Sequence, residues 1–201
     1  MKTRIMTRPS GRITTTVTML SAVMLFLAGC VVTSIYPYYT DKDLVSDPAL
    51  VGEWVDASKT NETSEYLRFE PVGEKGYRAT FFGTDETNSI DVFLFRLKEQ
   101  LFVDSFPTNR SLDFVPVHQV SKVTQIGSAL ETANLNYDWL AKLVENHPNA
   151  IRHMVLREKP GDDQGGRIIL TADTKELQRF ILKYVSNTNA WKEPTRWKHR
   201  S

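Results

Sequence analysis

The chain has 201 residues, of which 41% are hydrophobic, and this length predicts one domain with enough chain to bury a sizeable core. Its 25 basic and 24 acidic residues give a formal net charge of +1, and this balance gives no argument for a nucleic-acid partner, which would require a clearly basic face. The only cysteine cannot form a disulfide within the chain, so packing must supply the stability.

Residues 1–29 have the layout of a secretory signal peptide. Four basic residues precede a mostly apolar run from Ile13 to Ala28, broken only by threonine and serine. That run is too short and too rich in threonine for a membrane-spanning helix, which needs about 20 predominantly apolar residues. It contains no Arg-Arg pair, so general secretion is favoured over the twin-arginine route.

The run ends in Leu27-Ala28-Gly29-Cys30, which resembles a bacterial lipobox, the signature of lipoproteins that are cut before a cysteine. The resemblance implies that the lipoprotein signal peptidase recognises Leu27, Ala28 and Gly29. It also implies that Cys30 becomes the first residue, carrying a thioether-linked diacylglycerol and an amide-linked acyl chain such as palmitate. More than one acyl chain makes the anchor effectively permanent. The alternative is an ordinary buried or reactive cysteine.

Removal of residues 1–29 would leave 172 residues with a formal charge of −3, because four basic residues and no acidic ones are lost. Val31 follows the anchor where some enterobacterial lipoproteins carry an aspartate that retains them in the inner membrane. The resemblance therefore implies the outer-membrane default. We expect a lipid-anchored protein of the cell envelope, in the outer membrane and facing the periplasm.

Residues 30–48 are predicted to form a lipidated linker that is neither Gly/Ser-rich nor highly charged, and so is not a long flexible tether. It contains Tyr36, Tyr38 and Tyr39 around a proline. These rings could form an aromatic collar at the lipid headgroups, or fold back and cover one face of the domain. The second interpretation is favoured, because apolar rings next to a folded body usually pack against it.

After the turn at Asp47-Pro48 the chain shows short strand signals at regular spacing. They lie at 50–55, 66–70, 77–82, 90–97, 101–106, 114–124 and 129–135. Hairpin-length loops join most of them, which indicates an antiparallel up-and-down meander. A further hairpin at 152–157 and 167–171 brings the expected number of strands to eight or nine, within a single β-rich domain at 49–186.

The predicted strand at 90–97 is apolar on both faces. Ile90, Val92 and Leu94 alternate along it with Phe93, Phe95 and Leu97. Something must therefore cover the outside of the sheet, and two helices are available. Asn136 is predicted to cap a helix at 137–146, and Asp173 with Glu176 forms a capping-box-like start for a second helix, whose apolar face runs from Leu177 to Val185.

Residues 187–201 are predicted to form a basic and aromatic C-terminal tail, because Trp191 and Trp197 are interspersed with lysines and arginines. Such a tail could touch anionic lipid. It could also be frayed and solvated with Trp191 packed on the body, and this interpretation is favoured.

A meander whose first strand carries Gly52-x-Trp54 and whose last strand is followed by a packed helix resembles a lipocalin or calycin barrel. The resemblance implies a mainly β (α+β) fold, either a lipocalin-like barrel or a strongly curved sheet, with two packed helices. It also implies that Trp54 closes the barrel floor, with Arg152 or Arg167 lying across its ring. The alternative is a core tryptophan at the start of an ordinary sheet.

Motifs that carry chemistry are missing from the sequence. It has no Gly-x-Ser-x-Gly elbow, His-Glu-x-x-His pair or phosphate-binding loop. His118 and His153 fall in predicted strands, without helix-face ligand spacing, and are interpreted as hydrogen-bonded structural groups rather than metal ligands. The sequence therefore predicts no catalytic residue, metal site or cofactor, and a protein that is not an enzyme.

The expected function is that of a non-enzymatic interaction or envelope-accessory module, held on the lipid bilayer by acylated Cys30 and contacting an envelope protein. The alternative is a lipocalin-like carrier of a small apolar ligand, which needs an unfilled barrel interior. Large strand residues such as Phe69, Phe81 and Phe93 favour a filled interior. A hydrolase is the least favoured function.

Overall fold

The structure, a computed structural model, describes residues 31–59, 65–83, 87–108, 117–156 and 167–200. The predicted signal peptide, including Leu27, Ala28, Gly29 and Cys30, lies outside these residues. The strands within them are β1 (Thr33–Ser34), β2 (Gly52–Asp56), β3 (Tyr66–Val72), β4 (Gly76–Phe82), β5 (Thr87–Leu97), β6 (Gln100–Pro107), β7 (Gln119–Gln125), β8 (Leu130–Asn134), β9 (His153–Leu156), β10 (Arg167–Leu170) and β11 (Thr195–His199). The helices are α1 (Tyr137–Asn146) and α2 (Thr174–Lys183), with 3-10 turns at Pro48–Leu50 and Thr188–Ala190.

Eight of the strands form a closed antiparallel barrel. Strands β2 to β8 pair in chain order, and β11 completes the ring by pairing with β8 on one side and β2 on the other. The predicted mainly β, up-and-down barrel with two helices is therefore confirmed. Closure leaves this sheet without an unpaired edge.

The prediction of a solvated tail at 187–201 is wrong for its last part, because Thr195–His199 is the strand that closes the barrel. His199 lies opposite Trp54 in β2, and Trp197 lies opposite Leu130 in β8. The side chain of Trp197 packs against the core inside the barrel, while the basic residues alternate with it. The other part of that prediction is confirmed, since Trp191 is buried against the body.

The predicted hairpin at 152–171 forms, but not as part of the meander. β9 and β10 pair with each other, and β10 pairs in parallel with β1 from the predicted linker, giving a separate three-stranded sheet in the order β1-β10-β9. The folded body therefore extends beyond the predicted 49–186 at both ends. It includes Thr33–Ser34 at one end and Thr195–His199 at the other.

Two apolar clusters form the core, one inside the barrel and one outside it. The inner cluster contains Leu50, Trp54, Phe69, Tyr77, Ala79, Val92, Leu94, Val123 and Leu130. The outer cluster joins the outer face of the barrel to the helices, and includes Phe95, Phe102, Val120, Leu140, Leu177 and Ile181. β5 contributes to both, which confirms that the two helices cover its second apolar face.

Both helices begin where the sequence predicts. The Asn136 side chain accepts hydrogen bonds from the N–H groups of Asp138 and Trp139, and the Asp173 carboxylate accepts one from the Glu176 N–H at 2.9 Å. These side-chain acceptors satisfy N–H groups that have no partner inside the helix. In the part of the chain that the structure describes, no helix combines the length and apolar character needed to cross a membrane.

Candidate functional site

One end of the barrel interior is built around Trp54, which is fully buried. Its Nε1–H donates a hydrogen bond to the Leu50 carbonyl at 2.9 Å, and the His199 ring stacks on it at a centroid distance of 3.9 Å. Gly52 lies beside the same histidine with φ of +133°, a conformation that residues with a Cβ rarely adopt. In the Gly52-x-Trp54 motif, the glycine therefore allows a positive φ and the tryptophan supplies a buried core side chain.

Neither arginine that the lipocalin resemblance placed across Trp54 lies there. Arg152 pairs with Asp173 at 2.9 Å and Glu176 at 2.7 Å, and Arg167 begins β10 outside the barrel. His199 takes the position on the ring instead. The residue was missed because the strand that carries it was predicted to be a tail.

The barrel interior is lined by large side chains, as predicted. Phe69 and Tyr77 are buried in the inner cluster, and Phe81 lies on the same strand face as Tyr77 and Ala79. Phe93 was predicted to fill the interior, and this is wrong. It alternates with Val92 and Leu94, points outward, and stacks on Tyr39 and Phe106 at 5.1 and 5.9 Å.

The most buried charged group in the described chain is Asp104, on the outer face of β6. One carboxylate oxygen lies 2.7 Å from Nδ1 of His118, and the other accepts the Tyr38 N–H at 2.9 Å. Burial raises the pKa of the Asp104 carboxyl above its usual range, and the hydrogen bonds from His118 and Tyr38 offset part of that rise. The charged form of the Asp104 carboxyl is therefore stabilised by both hydrogen-bond partners.

The Asp104–His118 pair holds the N-terminal segment on the barrel. Ser34 and His118 exchange two backbone hydrogen bonds of 2.8 Å, next to the point where Asp104 binds the Tyr38 N–H. The Ser34 hydroxyl donates to the Tyr36 carbonyl. The arrangement is that of a structural clamp, in which the Asp104 carboxylate, the His118 ring and the Ser34 hydroxyl are all hydrogen-bonded within the protein.

Of the three tyrosines after the predicted anchor, two pack on the domain and one is exposed. Tyr38 is fully buried, and burial raises the pKa of its phenol, while Tyr39 stacks on Phe93. These two rings cover the domain, as favoured from the sequence. Tyr36 is different, because it remains 48% exposed.

Helix α2 fixes the same segment from the other side. Thr174 donates its hydroxyl hydrogen to the Pro37 carbonyl at 2.8 Å, and the Gln178 amide donates to the Tyr38 carbonyl at 3.0 Å. A third bond runs from the Gln178 amide to Asp43 at 2.9 Å. The chain downstream of residue 31 is therefore docked between the barrel and α2 rather than free.

The two histidines interpreted as structural groups, His118 and His153, are both hydrogen-bonded in the structure. His118 bonds to Asp104, and Nδ1 of His153 lies 2.9 Å from the Ile151 carbonyl. Among the described residues, no group of three or more His, Cys, Asp or Glu side chains is placed to hold a metal ion.

The three-stranded sheet presents an apolar surface to solvent. Met154, Val155 and Leu156 of β9 are 43%, 45% and 49% exposed, and Ile35 and Tyr36, just after β1, are 36% and 48% exposed. Met154 and Leu156 lie on one face of β9 and Val155 on the other, so both faces of this edge strand are apolar and exposed. We call Met154–Leu156 the β9 strip.

These features define a closed eight-stranded β-barrel with an outer layer of two helices and a small sheet that includes the N-terminal segment. No protein-family model, curated protein or solved structure matches the chain. Its function is therefore inferred from its own residues.

Proposed function

We propose that the chain is an outer-membrane lipoprotein, anchored by acylation of Cys30 and facing the periplasm, that acts as a non-enzymatic interaction or envelope-accessory module. One observation carries the proposal: the lipobox-like ending Leu27-Ala28-Gly29-Cys30 stands directly before a residue of the folded body. That residue, Val31, forms a β-bridge with Asn136.

The position of Val31 sets how the domain would sit on its membrane. Consecutive Cα atoms are about 3.8 Å apart, so an acylated Cys30 lies within one residue of the folded surface. The docked segment that follows provides no slack. The domain would rest against the lipid headgroups instead of moving on a tether, which suits a module that contacts other components close to the membrane.

The exposed apolar residues support an interaction role. The β9 strip lies outside the barrel, so the domain presents an exposed apolar surface to its surroundings. The Asp104–His118 pair supports structure rather than chemistry, since its hydrogen bonds hold the N-terminal segment. Docking of that segment and presentation of an apolar strip favour binding over catalysis.

Changing Cys30 to alanine is expected to abolish lipid attachment and cleavage, because both depend on the thiol. The precursor would keep residues 1–29 and remain in the inner membrane. Radiolabelled palmitate incorporation, precursor size on a gel and membrane fractionation measure the result. Val31→Ala is the matched control and should be lipidated and cleaved. Normal labelling and sorting of the Cys30→Ala protein would refute the proposed anchor.

A carrier of a small apolar ligand is the alternative, and the closed barrel is the observation that favours it. The side chains that fill the interior, Phe69, Tyr77 and Leu94 among them, argue against it, because natively packed cores leave little void. A form of the protein that starts at Val31 is expected to show no saturable binding of a fluorescent fatty acid. Stoichiometric binding that is lost in Ala79→Trp, which enlarges an inward residue, would establish the carrier function.

A further inference from the structure

The β9 strip occupies the free edge of the three-stranded sheet. β9 pairs with β10 on one side, and no described strand pairs with it on the other. Its three exposed residues are consecutive, apolar and uncharged. Water-exposed edge strands are normally protected by charged residues, proline or a covering element. A strip of this kind therefore favours a surrounding other than bulk water.

The strand register places the strip beside the predicted anchor. Thr33 in β1 lies level with Ile169 in β10, so Val31 and Arg167, each two residues earlier, lie at the same end of the sheet. Arg167 is in turn opposite Leu156 in β9. The end of the sheet that carries Leu156 is therefore the end at which the chain continues back to Cys30.

The lateral distance is short as well. Adjacent strands lie about 4.8 Å apart, and β9 is two strands from β1. The distance across the sheet from the backbone of Leu156 to that of Val31 is therefore about 10 Å. Acyl chains on Cys30, the neighbour of Val31, would therefore enter the bilayer at a similar distance from Leu156. A side chain so close to the entry point of a lipid anchor on a docked domain meets the headgroup region.

We propose that the β9 strip, Met154 to Leu156, is a second membrane contact that inserts into the lipid interface next to the acylated N-terminus. This inference rests on the proposed anchoring at Cys30. Apolar side chains at a bilayer surface lie about 5–10 Å deep, at the boundary between headgroups and acyl chains. The exposed Arg167 guanidinium, opposite Leu156, is placed to reach lipid phosphates while its stem lies on apolar surface.

A two-point contact has an orienting effect that one anchor lacks. An acylated residue alone leaves the domain free to rotate about the membrane normal and to tilt. A strip about 10 Å to one side of it fixes the tilt, because tilting away would expose apolar surface to water. The opposite side of the barrel would then face the periplasm and remain free for other partners.

The test uses the complete lipoprotein purified from membranes. With Cys30 acylated, an introduced cysteine is the only free thiol, so Val155→Cys can be labelled with an environment-sensitive fluorophore. Val72→Cys is the matched control, because it has the same residue type and similar exposure, 43% against 45%. The three-stranded sheet meets the barrel where Ser34 of β1 pairs with His118, just before β7, whereas Val72 lies on β3, four strands around the barrel from β7. Both labelled proteins are placed in phosphatidylethanolamine and phosphatidylglycerol vesicles with nitroxide-labelled lipids.

The expected result is a blue shift and quenching by shallow nitroxides at position 155, and neither at position 72. Equal emission at the two positions, in protein that carries radiolabelled palmitate and stays on the vesicles, would overturn the inference while leaving the anchor intact. Failure of palmitate labelling would instead refute the proposed function. Protection of position 155 in intact cells but not in vesicles would also overturn the inference, in favour of a protein partner for the strip.

Discussion

Replacing Trp54 with alanine is expected to lower the free energy of unfolding by about 3–5 kcal/mol, as for other buried tryptophans. The ring is fully buried in the inner cluster, bonds to the Leu50 carbonyl and stacks on His199, so its removal leaves a large cavity in the core. A small domain has about 5–15 kcal/mol of stability in total. Urea denaturation followed by circular dichroism measures the loss.

Two variants calibrate that result. His199→Ala removes only the ring that stacks on Trp54. It should lower the free energy of unfolding by about 0.5–1.5 kcal/mol in addition to the loss from its buried apolar area. Tyr36→Ala changes an exposed aromatic residue and should change stability by about 0.5 kcal/mol or less. An unchanged denaturation midpoint in Trp54→Ala would show that the ring does not close the barrel floor.

Replacing His118 with alanine is expected to cost about 1–3 kcal/mol at neutral pH, the usual effect of leaving a buried polar group without one of its hydrogen-bond partners. The Asp104 carboxylate, which is fully buried in the intact protein, would keep only the Tyr38 N–H among its two hydrogen-bond partners. The N-terminal segment should loosen with it. Denaturation and limited proteolysis near residues 33–38 measure the two effects.

The cost of His118→Ala should fall as the pH is lowered. Burial raises the pKa of Asp104, and a raised folded-state pKa gives stability that is complete below the unfolded value of about 3.9 and is lost as pH rises through the folded value. Loss of the His118 hydrogen bond removes a contribution that lowers this pKa, so the variant should protonate at higher pH. Protonation then relieves the unpaired charge.

A paired variant makes that interpretation testable. Adding Asp104→Asn to His118→Ala removes the buried charge while an amide oxygen can still accept the Tyr38 N–H. The double variant should be more stable than His118→Ala at neutral pH, and its stability should lose the pH dependence due to Asp104. Equal cost in the single and double variants at every pH would contradict a charged carboxyl held by His118.

The parts of the fold that local patterns decide were predictable. β5 is apolar on both faces in the sequence, and in the structure Val92 and Leu94 face the barrel interior while Phe95 faces the helices. Asn136 and Asp173 precede apolar residues at helical spacing, and both cap the predicted helices. In each case, the residues that determine the strand or the helix are close to one another in the sequence.

The missed features depend on pairing between distant residues. Arg196, Trp197 and Lys198 alternate as a strand should, but at the chain end their charges resemble a solvated tail. Asp104 follows inward-facing strand residues and gives no local sign of its partners. His118 is 14 residues away, and Tyr38 is 66 residues away.

Closure of the barrel by β11 also constrains how the chain can fold. The Arg200–Glu53 ion pair joins residues 147 positions apart in the sequence. The other paired residues of β2 and β11 have a similar sequence separation. Contacts this distant form slowly, because loop-closure entropy must be paid first. Until Thr195–His199 pairs with them, the β2 and β8 edges have no partner in the barrel, so the two unpaired edges persist until the most distant contacts of the fold have formed.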